Sequence, residues 1–236
     1  MTIEERAFAV TASDECEKLM TRFGYLYSCG QHREIFERLF SKREDITLTV
    51  NNGQFNNRYS IFRSFVLDQE RDALDYFLAV KERYPEIADR QVDMRRLHMY
   101  RKPLMHNMVF ELAEDQRSAK GLFYTTAYVY NTATPSGVKD CRWIMERHAA
   151  DFVYEDGAWK ILNFRVNSDA EGLMDTYQWP LYNRVVPEFD ALDNYDLPGT
   201  YHSAYSPLQV PQNTPAIPEP YKTYTAENSY AVLKSE

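Results

Sequence analysis

The sequence has few cysteines and no long apolar run. Cys16, Cys29 and Cys141 are the three cysteines among 236 residues, and their odd number and wide spacing indicate neither a disulfide framework nor a zinc site. No apolar run approaches the roughly 20 residues that cross a bilayer, and the first residues lack the basic and apolar blocks of a secretion signal. We therefore expect a cytoplasmic protein with no membrane partner.

Positive charge is also scarce. The 27 Lys and Arg residues against 35 Asp and Glu residues leave a formal net charge of -8. Because nucleic-acid phosphates require a basic surface, we expect no nucleic-acid partner. His32, His98 and His202 show no metal-ligand spacing with nearby carboxylates, so we expect no metal site.

Aromatic residues are abundant instead. They make up 14% of the sequence, and 18 tyrosines account for much of that share. Tyrosine combines a large apolar body with a polar tip, which suits a core, an interface or a pocket wall.

The first part of the chain has helical periodicity. Ser13 is a capping hydroxyl followed by acidic residues, so we expect the first helix to begin there and to end at Gly30. Apolar residues then predict a short second helix with Ile35, Phe36, Leu39 and Phe40 facing inward. Residues 46–50 are β-branched and predict a short strand, and residues 61–84 predict a long helix.

The stretch from Leu104 to Val166 predicts three or four long antiparallel strands in succession. Residues 108–113, 121–130 and 151–164 are rich in β-branched and aromatic residues and are separated by polar turns. Asp156-Gly157 is a strong hairpin signal. Helices followed by a meander predict an α+β fold in which helices cover one face of a strongly curved antiparallel sheet. The concave side of such a sheet is a natural place for a buried ligand.

The amino-acid composition changes after Leu197. Six of the 11 prolines lie between Pro198 and Pro220, interleaved with tyrosines, which predicts an extended segment without a core of its own. We expect one domain at residues 1–195, with its core at about 10–168, and an extended C-terminal arm at residues 196–236. The arm is either a disordered tail or a strap that lies on its own or a neighbouring domain.

Three segments resemble the SnoaL-like branch of the nuclear transport factor 2-like superfamily. They are residues 25–40 (YLYSCGQHREIFERLF), residues 104–113 (LMHNMVFELA) with the strand at 119–124, and residues 151–161 (DFVYEDGAWKI). In that family these positions correspond to the end of helix one with helix two, a histidine-led strand with the next strand, and the last hairpin. The resemblance implies a cone-shaped α+β barrel, commonly a dimer or trimer, with a cofactor-free active site in members that are enzymes.

The resemblance also implies candidate site residues. His106 would be a general base in the cone, and Cys29 falls where catalytic members commonly have an aspartate, so Asp151 is a candidate for the missing carboxylate. Tyr27 could polarise a carbonyl or donate to an enolate oxygen. The full set of candidates is His106, Tyr27 and Asp151 as catalytic residues, and Tyr25, Cys29, Met108, Phe110 and Tyr128 as substrate-binding residues.

Each candidate also has a structural interpretation. His106 could bond a carbonyl, Cys29 could be a small buried apolar residue, the tyrosines could pack in the core, and Asp151 could face solvent. Periodicity does not decide which face of the strand with Tyr124, Tyr128 and Tyr130 lines a pocket.

Two functions follow from the sequence. The first is a cofactor-free lyase or isomerase, dehydratase-like or ketosteroid-isomerase-like, that acts on a small apolar, polycyclic or aromatic substrate. The second is a non-catalytic ligand-binding or partner subunit, such as one similar to the small subunit of a ring-hydroxylating dioxygenase. In either case we expect a homo-oligomer, a dimer first and a trimer second, with contacts through the convex face of the sheet.

Overall fold

The computed structural model describes residues 2–51, 53–85, 100–131, 140–173, 195–198 and 214–233. His98, Tyr201, His202 and Tyr205 lie outside these residues. The side chain of His106 is also outside the described part of the chain, although the backbone of its strand is included.

Helix α1 spans Ile3–Ser28 and begins earlier than predicted. The prediction that it starts at Ser13 is wrong, because the complete capping box lies at Thr2: the Thr2 side chain accepts from the Glu5 backbone and the Glu5 side chain accepts from the Thr2 backbone. A reciprocal cap satisfies two helix N-terminal donors, whereas Ser13 lacks this partner arrangement. The helix ends at Ser28, and the predicted Gly30 follows the cap residue Cys29 with a left-handed φ of 66°.

The other helices follow closely from the apolar pattern. Helix α2 spans His32–Arg38 and, together with the two residues after it, buries the predicted Ile35, Phe36, Leu39 and Phe40. The long helix predicted at residues 61–84 is a continuous run of helix α3 at Arg58–Ile61, a π-helical segment at Phe62–Asp68 and helix α4 at Gln69–Arg83.

In the described part of the chain, seven strands form one curved sheet in the order β3-β4-β5-β6-β1-β2-β7. Neighbouring strands are antiparallel except for β1 and β6, which are parallel. The strands are β1 Thr47–Val50, β2 Gly53–Phe55, β3 Tyr100–Leu112, β4 Ser118–Asn131, β5 Asp140–Glu155, β6 Ala158–Leu173 and β7 Leu197–Pro198. The long strands are those predicted between Leu104 and Val166, and the expected α+β fold class is confirmed.

The hairpin between β5 and β6 turns at Asp156 and Gly157, as predicted. Their φ angles are 51° and 78°, so both residues are left-handed, as the favoured two-residue hairpin turn requires.

The two faces of the sheet have different coverings. The face that packs on α1, here called the concave face, carries a core that includes Phe123, Phe152, Phe164 and, from α1, Phe23. The opposite face, here called the outer face, carries polar side chains such as Asp151 on alternate positions, since successive strand residues point to opposite sides.

Residues 214–233, here called the C-terminal segment, lie on the outer face. The backbone amides of Glu114 and Asp115 donate to carbonyls of Tyr221 and Lys222 at 3.0 Å each. Lys120 donates to the Asn228 carbonyl at 2.7 Å. This part of the arm is therefore bound to its own sheet.

No helix in the described residues is both long enough and apolar enough to cross a membrane.

Candidate functional site

Strand β5 places a row of side chains on the concave face. Ile144, Glu146, His148, Ala150 and Phe152 occupy alternate positions and are all buried. The apolar members pack in the core, so the two polar members are held within it. A carboxyl and an imidazole two residues apart on one strand therefore lie side by side beneath the helices.

Glu146 and His148 form a buried hydrogen-bonded pair. Glu146 is 1% exposed and His148 is 3% exposed. The distance from His148 Nε2 to Glu146 Oε2 is 3.0 Å. The His148 ring packs edge-on against Phe164, with 5.4 Å between ring centroids. The pair is therefore shielded from water, and one aromatic ring packs against the imidazole.

Two further polar residues support the Glu146 carboxylate. Ser168 Oγ donates to Glu146 Oε1 at 3.4 Å, and Asn51 Nδ2 donates to the same Ser168 oxygen at 3.4 Å. The Asn51 side chain also accepts from the Ser168 backbone amide at 2.9 Å. Asn51 has a φ of 39°, a left-handed conformation that asparagine tolerates in the turn after β1.

The hydrogen bonding defines what His148 can do. An ionised carboxylate only accepts hydrogen bonds, so an ionised Glu146 would accept from a proton on Nε2 and leave a lone pair on Nδ1. Nδ1 is buried and has no hydrogen-bond partner among the described residues. A histidine oriented through one nitrogen and open at the other can accept a proton from a bound molecule.

Comparison with solved structures identifies the fold around this pair. No protein-family model matches the chain, and no curated protein matches it. A scytalone dehydratase-like protein from Novosphingobium aromaticivorans aligns with a TM-score of 0.50 at 10% identity, over 77% of this chain and 99% of that protein. The chain has the nuclear transport factor 2-like fold.

Two other solved structures are similar at lower scores. A hexachlorocyclohexane dehydrochlorinase of LinA type 3 from Novosphingobium barchaimii gives a TM-score of 0.49 at 8% identity, over 74% of this chain and 97% of that one. A nuclear transport factor 2-like protein with a cystatin-like fold from Novosphingobium aromaticivorans gives 0.43 at 14% identity, over 73% and 88%. At such identities the likeness concerns the fold and not the activity.

His106 lies on the expected strand of this nuclear transport factor 2-like sheet. It falls in the register irregularity of β3 between Met105 and Met108, which pair with Thr125 and Phe123 of β4. Those β4 residues pair in turn with Glu146 and His148 of β5. The backbone of His106 is thus level with the buried pair and two strands away, about 10 Å at ordinary strand spacing.

Tyr27 lies near the pair but is separated from it by aromatic rings. It stacks on Phe23 at 5.9 Å between centroids, and Phe23 contacts Phe164 at 4.9 Å. Phe164 is the ring that packs on His148. Tyr27 therefore belongs to the aromatic side chains beside the pair.

The remaining α1 candidates lie at the helix end. Cys29 is the half-buried residue that caps α1, and Tyr25 is 75% exposed. The structure does not bring Tyr25 together with Tyr27, because residues two apart on a helix point in different directions.

Met108 and Phe110 pack against the core on the concave face. Met108 leans over Gly121 of β4: a Cβ at Gly121 would lie 2.7 Å from Met108 Sδ and 2.9 Å from Phe152. Since Met108 is also in register with Phe123 and His148, it is the substrate-binding candidate nearest to the buried pair in the sheet.

Tyr128 lies on the outer face. It is on the same side of β4 as Tyr124, which is exposed. Its partner on β5 is Trp143, and odd-numbered residues of β5 point away from the concave face. The sheet therefore separates Tyr128 from Met108 and Phe110.

Asp151 is also on the outer face and does not reach the cone. It is fully buried beneath the C-terminal segment, where it accepts from Ser229 Oγ at 2.6 Å, from Asn163 Nδ2 at 3.1 Å and from the backbone amides of Tyr230 and Ala231. Burial raises the pKa of Asp151, and these hydrogen bonds oppose that rise. Glu146, not Asp151, is the carboxylate of β5 on the concave face.

Sequence reasoning selected His106 as the base and missed His148, Glu146, Ser168 and Asn51. A signal for the first two was present, because Glu146 and His148 alternate with Ile144, Ala150 and Phe152, a pattern that indicates two polar residues on a buried face. Ser168 and Asn51 come from distant parts of the chain, and only the pairing of β6 with β1 and β5 brings them together.

Within the described residues, no three His, Cys, Asp or Glu side chains are grouped as a metal ion would need.

Proposed function

We propose that this protein is a cofactor-free lyase or isomerase that moves a proton on a small apolar substrate, with His148 as the base. The observation that supports this proposal is the buried, unpartnered Nδ1 of His148 beside the Glu146 carboxylate. A buried nitrogen without a partner is costly unless a ligand uses it.

The two residues have separate roles. His148 Nδ1 takes a proton from a substrate carbon, and the imidazolium that forms keeps its Nε2 proton on Glu146. Glu146 holds the tautomer and stabilises the new positive charge, which matters in a site of low dielectric. Ser168 and Asn51 keep the carboxylate in position.

The reaction completes with the same proton. In an isomerisation, His148 returns the proton to a second carbon of the substrate, and the double bond shifts. In a dehydration, the electron pair of the broken C–H bond forms the double bond, and the leaving hydroxide takes the proton from His148 as water. Neither route requires an oxidant or a reductant.

The surroundings suit an apolar and flat substrate. The Phe164 ring packs edge-on against His148, and Phe123 and Met108 occupy the paired positions on β4 and β3. Aromatic and thioether side chains bind a polycyclic or aromatic ring through offset stacking and sulfur contacts.

Solvent-deuterium incorporation tests the proposal and does not require the natural substrate to be identified. The protein is incubated in D₂O with a panel of cyclic ketones and hydroaromatic alcohols, and mass spectrometry measures deuterium uptake and loss of water. We expect His148→Gln and Glu146→Gln to lower the rate by about 10²–10⁴-fold, while the exposed carboxylate variant Glu114→Gln keeps it. Equal rates in wild type and His148→Gln would refute the assignment.

A second candidate is a non-catalytic ligand-binding or partner subunit. The observation that favours it is the filling of the cone near the β5–β6 hairpin, where Phe40, Phe152 and Ile161 are fully buried core side chains. In that case a panel ligand would bind and raise the melting temperature, yet neither deuterium uptake nor water loss would occur in wild-type protein.

A further inference from the structure

Arg165 is a buried arginine on the outer face of β6. It is 6% exposed, and its Nε donates to Asn167 Oδ1 at 2.9 Å. No other hydrogen bond or ion pair of this side chain exists within the described residues. The neutral amide oxygen of Asn167 does not balance the charge. The two Nη atoms have no acceptor among the described residues and are not sealed from solvent, so a small anion can reach them.

The neighbours of Arg165 in the sheet supply no counterion. Its cross-strand partners are Ala149 on β5 and Thr49 on β1. The Thr49 hydroxyl is engaged with Gln54 Oε1 at 2.9 Å and the Ala231 carbonyl at 3.3 Å, and Ala149 has only a methyl group.

Arg147 adds positive charge to the same region. It is one diagonal step from Arg165 in the pairing of β5 with β6, and its Nε and Nη2 donate to the two oxygens of Asp169 at 2.7 Å each. The Asp169 carboxylate is thus occupied by Arg147, and the Asp151 carboxylate accepts from Ser229, Asn163 and the backbone of the C-terminal segment. Burial, followed by the Arg147 charge, lowers the pKa of Arg165.

Tyr230 of the C-terminal segment lies beside both arginines. The phenol's pKa is raised by burial and then by Asp151, whereas Arg147 and Arg165 both act to lower it. The Tyr230 hydroxyl itself donates to the Ala216 carbonyl. The C-terminal segment therefore forms one wall of the region without neutralising Arg165.

We propose that Arg165 binds a small oxyanion, a carboxylate or phosphate group, in a site formed with Arg147 and Tyr230 on the outer face of the sheet. A buried guanidinium without a counterion is unfavourable, and its planar fork of N–H donors matches two oxygens of a carboxylate or phosphate. The site is on the side of the sheet opposite to Glu146 and His148, so this assignment is independent of the proposed function.

Thermal unfolding in different anions tests the site. Wild type, Arg165→Met and the exposed control Arg22→Met are melted in sodium chloride, sodium phosphate and sodium acetate at matched ionic strength. We expect phosphate or acetate to raise the midpoint of wild type and Arg22→Met in a saturable way, by roughly 3–6 °C at ten times Kd. The midpoint of Arg165→Met should not respond.

The melting temperatures in sodium chloride give a second test of the same proposal. Because Arg165→Met removes an uncompensated charge, it should melt at or above the wild-type temperature in chloride. A response to acetate alone would assign a carboxylate, and one to phosphate alone would assign a phosphate group. The proposal is overturned if wild type melts identically in all three salts, if Arg165→Met keeps the response, or if Arg165→Met is strongly destabilised in chloride.

Discussion

Neighbouring residues on β5 have different roles because even-numbered and odd-numbered positions face opposite sides of the sheet. Even positions such as Glu146 and His148 face α1, and odd positions such as Arg147 and Asp151 face the outer side. A shift of one residue moves a carboxylate from a site in the cone to a site under the C-terminal segment. Asp151 therefore cannot orient His148 in the way that we propose for Glu146.

The alternation of strand residues between the two faces also explains which site residues could be predicted from the sequence. Met108 and Phe110 lie on the buried face as expected, because apolar residues occupy the alternate positions 108, 110 and 112 in β3. Asp151 is a candidate carboxylate for the cone in the sequence because Cys29 replaces the aspartate of helix one. It lies three residues after His148 on β5, however, and three residues along a strand lead to the opposite face. Ser168 and Asn51 could not be selected, since a hydroxyl and an amide far apart in sequence have no shared local pattern.

The buried carboxyl of Asp151 predicts a pH dependence of stability. Its folded pKa is raised above the unfolded value of about 3.9, so its contribution to stability is complete below that value and is lost as pH rises through the folded pKa. We therefore expect wild type to lose stability relative to Asp151→Asn as pH increases from about 4. Urea unfolding of both proteins at several pH values measures this difference.

The difference in unfolding free energy between wild type and Asp151→Asn removes the contribution of all other titrating groups, because both proteins contain them. If the wild-type curve stays parallel to that of Asp151→Asn, or rises relative to it, the donors from Ser229, Asn163 and the segment backbone outweigh burial. In that event burial does not raise the pKa of Asp151 above its unfolded value, and the prediction fails.

At the scale of elements, the C-terminal segment works as a strap on the outer face. Ser229, Tyr230 and Ala231 donate to Asp151, and the Leu233 amide donates to Gln54 Oε1 at 2.7 Å. The segment thus crosses from β5 to β2. Tyrosine side chains add contacts, as when the Tyr224 hydroxyl accepts from Asn163 at 2.9 Å.

Removal of the strap should destabilise the domain. A protein that ends at residue 198 loses the donors to Asp151 and uncovers the outer face, so we expect a lower melting temperature. The point variant Ser229→Ala removes one of these donors and should cost about 1–2 kcal/mol of unfolding free energy. A protein that ends at residue 233 is the control, and an unchanged melting temperature after truncation at 198 would mean that the segment is passive.

Element boundaries show what local sequence can and cannot indicate. Asp156-Gly157 and Gly30 predict the β5–β6 hairpin and the end of α1, because these residues accept left-handed backbone. The start of α1 is misplaced in the sequence because capping hydroxyls also occur inside helices, and Ser13 offers a plausible cap within a helix that starts at Ile3. The parallel pairing of β1 with β6 joins segments over 110 residues apart, and no local pattern encodes it.

At the scale of the whole molecule, part of the outer face is left uncovered. Tyr124 is 62% exposed, and Met145 and Val109 on the flanking strands are also exposed. Tyr124 and Met145 lie on adjoining strands in neighbouring register positions. Apolar side chains grouped on a flat sheet face are typical of a protein interface.

We therefore predict that the protein is a homodimer through this uncovered part of the outer face. Light scattering should give twice the chain mass of 27.8 kDa, and Tyr124→Glu with Met145→Glu should give the single-chain mass while the circular dichroism spectrum stays unchanged. The similarly exposed Tyr25→Glu on α1 is the control. A wild-type mass of one chain would rule out the dimer, and three chain masses would indicate the trimer instead.

The function we propose depends on Glu146 fixing His148 with its proton on Nε2 and its Nδ1 open to a bound molecule. Imidazole ¹⁵N chemical shifts report which ring nitrogen carries the proton, and they can be measured without a substrate in wild type and in Glu146→Leu. We expect neutral His148 in wild type to be almost entirely the Nε2–H tautomer, and Glu146→Leu to show a mixture. A wild-type His148 protonated on Nδ1, or the same mixture in both proteins, would contradict this role of Glu146.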